Sequence, residues 1–278
     1  MDILLLLKAL ILGLVEGLTE FAPVSSTGHM ILVDDMWLKS QDFLGKYPAN
    51  TFKVVIQLGS ILAVVVVFRQ RFIDMLGLSR NKVTNEITGS RLKLTQVIVG
   101  LLPAGVLGLL FEDYIDEYLF TTNTVLIGLA IGAFLMIFAD RFAAKNQNPV
   151  IDTVDKITYK QAFSIGLIQC LSLWPGFSRS GATISGGVLL GLSHRAAADF
   201  TFIMAVPIMA GASGISLLKN LEYFSMDAMP FFVVGFISAF VFAMLSIRFF
   251  LNIIEKVKLT PFAIYRLVLV AVIFFVIM

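Results

Sequence analysis

EGLTEFAPVSSTGHM, residues 16–30, follows an apolar run, MDILLLLKALILGLV at residues 1–15, that is as greasy as a membrane helix. The quoted string carries two carboxylates, a proline, two serines, a threonine, a glycine and a histidine. Irregular backbone at membrane depth survives only where it is buried in protein or lines a wet cavity. The string therefore needs a partner of its own kind elsewhere in the chain.

Composition sets the frame. Of 278 residues, 58% are hydrophobic and 14% charged, against about 25% charged in ordinary soluble domains. Mean hydropathy is +0.90, which places the chain in a bilayer. A net charge of +2 gives no reason to expect nucleic acid. Cys170 is the one cysteine, which excludes an internal disulfide framework and a CxxC site. No polar stretch is long enough to hold a core of its own. Lys8 interrupts the first apolar run, Asp2 stands near its start and no A-x-A site follows. The run reads as mature protein rather than as a signal peptide.

Six stretches are long enough to cross about 30 Å of hydrocarbon as helices of roughly 20 residues: 52–69, 92–111, 122–140, 199–218, 229–250 and 261–278. Two others, 3–37 and 160–192, are each interrupted by a Pro/Gly/Ser-rich string and read as helix, break, helix. Positive charge sets orientation. The 69–93 connection holds Arg69, Arg71, Arg80, Lys82, Arg91 and Lys93, and the 141–160 connection holds Arg141, Lys145, Lys156 and Lys160. The 112–121 connection has neither Lys nor Arg. Alternation places the first two in the cytoplasm, with Arg248, Lys256 and Lys258, and the third outside with the 219–228 loop. Segment 160–192 then starts and ends inside, as a re-entrant hairpin, and 3–37 is its counterpart from the outer side, with the N-terminus outside.

A shift of 153 residues lays GLVEGLTEFAPVSSTG (13–28) on GLIQCLSLWPGFSRSG (166–181). Gly13 meets Gly166, Glu16 meets Gln169, Ser25 meets Ser178 and Gly28 meets Gly181. Three spans follow each hairpin, and the halves enter from opposite sides. The expected architecture is an all-α integral membrane protein: six transmembrane helices plus two re-entrant helical hairpins in an inverted-topology repeat. It is a single membrane domain, residues 1–278, whose repeats cover 1–140 and 160–278. Proteins of that design hold their sites near the midplane, where broken helices meet.

The side chains suit such a site. Glu16 and Glu20 are four residues apart and share a helix face. A carboxylate at the bilayer centre costs about 2.5–3.5 kcal/mol, so it is a functional candidate. Two stacked acids repel unless a cation sits between them, and Mg²⁺ or Ca²⁺ with oxygen ligands meets that need. One of Ser25, Ser26 and Thr27 is expected to cap the second half-helix, Ser25 or Thr27 by preference. Another can act as nucleophile beside a base, and His29 is near enough to be one. In the second string Ser178, Arg179, Ser180 and Thr183 offer hydroxyls and a fixed charge that grips phosphate with two prongs. Backbone N–H groups at a Gly-rich helix entry also cradle anions. The pairs Gly128/Gly132 and Gly187/Gly191 read as helix packing. His194 and Arg195 read as a solvated turn, and Arg266 as an interface anchor or a cavity lining.

EGLTEFAPVSSTGH and PGFSRSGATISGG, with VIQLGSILAVVV and PFAIYR, resemble the bacterial undecaprenyl-diphosphatase family, often called the bacitracin-resistance family. The resemblance runs from about residue 9 to the C-terminus. It implies a membrane phosphatase that cuts undecaprenyl diphosphate, the lipid carrier of cell-wall synthesis, to the monophosphate. It implies a divalent cation and a multi-pass protein of the bacterial inner membrane whose site faces the periplasm. The family's acidic motif falls on Glu16 and Glu20, expected at the metal. Its serine–histidine segment falls on Ser25, Ser26, Thr27 and His29, and its phosphate motif on Ser178, Arg179 and Thr183. The expected catalytic set is Glu20, Ser26, His29 and Arg179. Ser25, Thr27, Ser178, Arg179, Ser180 and Thr183 are expected to bind phosphate. The expected partners are a polyprenyl diphosphate and the bilayer, and a homodimer is left open. The competing reading is a transporter or flippase of an anionic polyprenyl lipid, since inverted repeats with broken helices are common in transporters.

Overall fold

The computed structural model describes residues 2–78, 91–146, 151–219 and 228–277. Arg80, Lys82 and nearly all of the 219–228 connection lie outside the described residues. Among those described, the chain is helical, with a single isolated bridge between Ile151 and Leu192. The first broken segment is α1 (Ile3–Thr19) and α2 (Ser26–Met30), which runs into a wide π-helical stretch over Ile31–Leu38. Next come α3 (Ser40–Leu44), α4 (Lys46–Val67), α5 (Arg69–Met75), α6 (Leu94–Leu110), α7 (Glu112–Tyr118) and α8 (Thr122–Lys145). The second broken segment is α9 (Tyr159–Gln169), a 3₁₀ turn at Cys170–Leu173, and α10 (Arg179–Leu189). The chain closes with α11 (His194–Lys219), α12 (Met229–Val257) and α13 (Thr260–Ile277).

Among the described residues four helices, α4, α8, α11 and α12, are long and apolar enough to cross a membrane, so the protein is multi-pass. The two other expected spans fall on shorter apolar helices, α6 and the Thr260–Phe275 part of α13. Helix α6 has 17 residues, about 26 Å at 1.5 Å per residue. It carries Pro103 and gives way at Phe111 to the acidic turn of α7.

Both broken segments break where the sequence removes helix donors. Pro23 has no N–H and disfavours helix at Ala22, and Pro175 does the same at Trp174. Trp174 is extended accordingly, and Gly176 follows at φ +88°. Each broken segment then leans on the other half of the chain. Helix α1 lies along α12, where Ser238 Oγ donates to the Leu10 carbonyl at 2.7 Å and Ser246 Oγ to the Leu18 carbonyl at 2.9 Å. Helix α9 lies along α6. Gly13 and its repeat mate Gly166 mark the closest approaches: a Cβ at Gly13 would strike the Gly235 carbonyl, and one at Gly166 the Gly100 carbonyl.

The basic connections gather at one end. Arg71 pairs with Asp155, which also accepts from the Leu92 N–H at 3.1 Å, so the 69–93 and 141–160 connections touch. Asp140 joins that end through His194 Nε2 at 2.7 Å and the N–H groups of Leu259 and Thr260 at 2.9 and 2.6 Å. His194 is therefore no solvated turn residue: its side chain is 11% exposed and serves to tie α8 to α11. Arg195 spans to Asp199 and to the Leu251 carbonyl. At the opposite end of α4, Lys53 bridges Asp34 and Asp35 at 2.9 Å each.

The Asp155 bracket makes stability depend on pH. Burial pushes its carboxyl up, but the hydrogen bond from Arg71, the Leu92 N–H and the Arg71 charge together hold it below the ordinary carboxylate value. A depressed carboxyl stabilises fully above its unfolded value, about 3.9, and loses that contribution as pH falls through the lower folded value. Asp155→Asn is expected to lower stability in detergent by about 1 kcal/mol at pH 7, since the pair is partly exposed and screened. The gap between wild type and variant should close as thermal unfolding is followed below about pH 4.

Candidate active site where two broken helices meet

The two breaks touch at their tips. Arg179 Nη2 lies 3.1 Å from Glu20 Oε1, and the two side chains are 15% and 9% exposed. Ser180 Oγ donates to the Ala22 carbonyl at 3.1 Å. The Arg179 guanidinium also lies over the Phe21 ring at 5.9 Å from its centroid, a cation–π contact.

Both breaks use the same local device. Ser25 and Ser178, equivalent in the repeat, sit at φ +70° and +73°. A non-glycine residue there costs about 1–3 kcal/mol, and such strain gathers at functional sites. Each serine caps the helix that follows: Ser25 Oγ accepts from the Gly28 N–H at 3.5 Å, and Ser178 Oγ from the Gly181 N–H at 3.2 Å. The residue after each cap is the first of its helix and points into a shared cavity. In the first half it is Ser26, in the second Arg179. Ser26 Oγ donates to Glu20 Oε2 at 2.6 Å, so one carboxylate holds the hydroxyl with one oxygen and the guanidinium with the other.

The cavity has a volume of about 270 Å³. Of the residues expected from sequence, Glu20, Ser25, Ser26, Thr27, Ser178 and Arg179 line it. Four do not. Glu16 lies one turn back along α1, 5% exposed. Ser180 is spent on the Ala22 carbonyl and on Ser178 Oγ at 3.2 Å. Thr183 donates to the Arg179 carbonyl at 2.8 Å and accepts from Thr201 at 2.9 Å, which braces α10 against α11. His29 turns away: its ring stacks on Tyr265 with an 11° interplanar angle, Nε2 lies 2.7 Å from the Tyr265 hydroxyl, and Nδ1 lies 2.8 Å from the Ser25 carbonyl.

Glu16 is the residue to consider for a metal. Its Oε1 is buried and has no hydrogen-bond partner among the described residues. Together with Glu20 it forms an all-oxygen donor set of the kind Mg²⁺ or Ca²⁺ takes. Among the described residues no cluster of three or more His, Cys, Asp or Glu converges. Two carboxylates alone do not cage an ion, so a cation held by Glu16 and Glu20 would need further ligands from outside the protein, as Mg²⁺ commonly does.

Sequence reasoning gave no role to three polar residues here, and it misplaced Arg266. Gln57, Gln169 and Ser172 line the cavity. Gln169 had a signal, since the repeat lays it on Glu16. Arg266 is neither an interface anchor nor a cavity lining. It is fully buried and donates through Nη2 to the Gly176 and Phe177 carbonyls at 2.9 and 2.8 Å. It thus holds the second break in shape, and Gly132 leaves room for it: a Cβ there would lie 2.6 Å from Nη2. Gly128 does the same for the Pro175 carbonyl, so this small-residue pair packs the break rather than a plain helix.

Fold and site define a class: a multi-pass helical membrane protein whose two broken helices bring an acid, a hydroxyl and an arginine into one cavity. The profile of the family described as bacitracin resistance protein BacA matches residues 9–272. A protein of Geobacillus sp. (strain WCH70) named undecaprenyl-diphosphatase is 72% identical over 276 residues, 99% of each chain. Proteins of the same name from Exiguobacterium sibiricum and Bacillus subtilis (strain 168) are 65% and 61% identical over 273 residues, 98% of each chain. The chain belongs to the BacA family.

Removing one partner of a buried pair leaves the other charge uncompensated and costs about 3–5 kcal/mol. Glu20→Ala and Arg179→Ala should each lower stability by an amount of that order. The double variant should lose less than the sum by at least about 1 kcal/mol, because the pair acts as a unit. Thermal unfolding of the four proteins in detergent closes the cycle.

Proposed function

We propose that the protein is a membrane phosphatase that hydrolyses undecaprenyl diphosphate to undecaprenyl phosphate and inorganic phosphate, returning the lipid carrier to cell-wall synthesis. The relatives' name and family support the substrate. The observation that carries the chemistry is the 2.6 Å hydrogen bond from Ser26 Oγ to a Glu20 carboxylate whose other oxygen is paired to Arg179.

Ser26 is the nucleophile and Glu20 its base. Arg179, with Nη1 still free of any acceptor among the described residues, grips the terminal phosphate. The N–H groups of Arg179 and Ser180, at the start of α10 where no intrahelical carbonyl reaches, add to that grip. Glu20 accepts the hydroxyl proton as Ser26 Oγ forms a bond to the terminal phosphorus. The bond from that phosphorus to the bridging oxygen breaks, and its electron pair leaves on the polyprenyl monophosphate. Glu20 first yields its proton to the departing monophosphate. Water then attacks the phosphoserine and passes a proton to the freed Glu20 carboxylate, and the Ser26–phosphorus bond breaks to release phosphate as Ser26 Oγ takes that proton back. Glu16 and Glu20 would hold a divalent cation, which when bound neutralises charge on the phosphoryl oxygens. The chain's own part is positioning and charge compensation, the main demand of phosphoryl transfer.

The architecture behind this reading has six spans and two re-entrant hairpins, at 3–37 and 160–192, in inverted repeats covering 1–140 and 160–278. The shared serine caps and the touching tips support it. The bacterial inner membrane is the location. The basic end faces the cytoplasm, and the cavity opens toward the periplasm. In support, Ala104 on α6 and Ile208, Met209 and Ala212 on α11 lie in the halves of those helices away from the basic end.

Ser26→Ala should lower phosphate release from a polyprenyl diphosphate in detergent by roughly 10³-fold or more while leaving the protein folded. His29→Gln should lower it by less than about tenfold, the lower bound for losing a proton-transfer group being roughly 10²-fold. A Ser26→Ala protein that keeps near-normal turnover places the nucleophile elsewhere, with His29 next in line. The same assay, run with no gradient across any membrane, separates hydrolysis from transport.

A further inference from the structure

The cavity wall contains more hydrogen-bond donors than the described residues satisfy. Gln169 is 1% exposed, lines the cavity, and its Nε2 has no acceptor among the described residues. Arg179 Nη1 is in the same condition. An unmet buried donor costs about 1–3 kcal/mol, so two in one wall are not incidental. Gln57 adds a third. It lines the cavity, and its Oε1 accepts from Ser213 Oγ at 2.9 Å, so its NH₂ group is not used in that bond. Two buried donors with no acceptor among the described residues, beside a third amide on the same wall, describe a site for a ligand rich in acceptor oxygens.

A diphosphate has two phosphoryl groups, and Arg179 beside Ser26 accounts for one. The other stays attached to the lipid when the bridging bond breaks, and the electron pair of that bond arrives on it. Donors aimed at that group gain strength as its charge develops, which is the condition for lowering a barrier. Their neutrality matters as well. A cation would hold the charged product, whereas an amide donates without trapping it. The repeat gives the same division of labour: the first half places a carboxylate at Glu16, and the second places an amide at the equivalent Gln169.

We propose that Gln169, together with Gln57, forms the subsite for the lipid-linked phosphate and stabilises it as it departs. The proposal rests on the phosphatase reading and adds the second half of the substrate's recognition.

The test uses the purified full chain in detergent, farnesyl diphosphate as substrate, and farnesyl monophosphate and inorganic phosphate as inhibitors. Gln169→Met keeps the size and removes the donor. It should lower kcat/KM about 10²-fold, the scale of losing one donor to a developing charge. It should weaken inhibition by farnesyl monophosphate about tenfold, one hydrogen bond to a charged group. It should leave inhibition by inorganic phosphate within about twofold, since Arg179 provides that subsite. Gln57→Met should shift the same constants in the same direction. Gln169→Glu keeps a donor only while the introduced carboxyl is protonated, so its rate should fall with rising pH along a limb that wild type lacks. The proposal is overturned if Gln169→Met stays within about twofold of wild type in kcat/KM. It is equally overturned if the variant loses inorganic phosphate inhibition along with the rest, which marks a collapsed cavity. Should Gln169→Met fail to fold, absence of the new limb in Gln169→Glu overturns it. A wild-type protein that releases no phosphate would instead sink the phosphatase reading itself.

Discussion

The contact between Glu20 and Arg179 is the constraint on which the rest depends. Each charge alone would be expensive at that depth. Each sits where a proline has broken its helix, so each also comes with unpaired backbone. Bringing the tips together resolves both costs at once: the charges pair, and the Ser180 hydroxyl serves the Ala22 carbonyl. Buried ion pairs are often no more stabilising than apolar replacements. The pair is therefore better understood as the device that aligns two halves than as a source of net stability.

The two breaks share one construction and differ in what they present. A strained serine caps each helix, and the next residue enters the cavity. Where that residue is Ser26, the break supplies a hydroxyl; where it is Arg179, it supplies a charge. The supports differ too. Arg266 reaches from α13 to hold the second break by its carbonyls, with no carboxylate of its own within salt-bridge range among the described residues. That asymmetry lets one architecture place opposite chemistries face to face.

The sequence made much of this legible. Apolar length marked the long helices, and Pro/Gly/Ser strings marked the breaks, because both are local signals. The meeting of Glu20 with Arg179 followed from charge that must be compensated and from the repeat. Other features depended on tertiary geometry that no local pattern carries. His29 lies beside acids and hydroxyls in sequence, yet its ring stacks on Tyr265, a residue 236 positions away. Thr183 shares a helix face with Arg179, but Thr201 on α11 claims its hydroxyl. His194 reads as a surface turn residue, but Asp140 on α8 lies across from it. Arg266 sits one residue beyond Tyr265 in an apolar helix, and nothing there tells which carbonyls it will hold. Gln169 was visible only as the repeat's substitute for Glu16, and a glutamine by itself draws no notice.

The interlocking of the halves sets the order in which the chain can assemble. Ser238 and Ser246 hold α1 through bonds that each span 228 residues. At a synthesis rate of roughly 5–20 residues per second, α1 waits on the order of 10–45 s for α12 to emerge. Arg179 follows Glu20 by 159 residues and α12 comes later still, so for most of that interval the two acids have no cation beside them and α1 has no seat. The nascent chain must shelter two acids at the membrane surface or against the insertion machinery, and only late in translation can the first helix take its final seat.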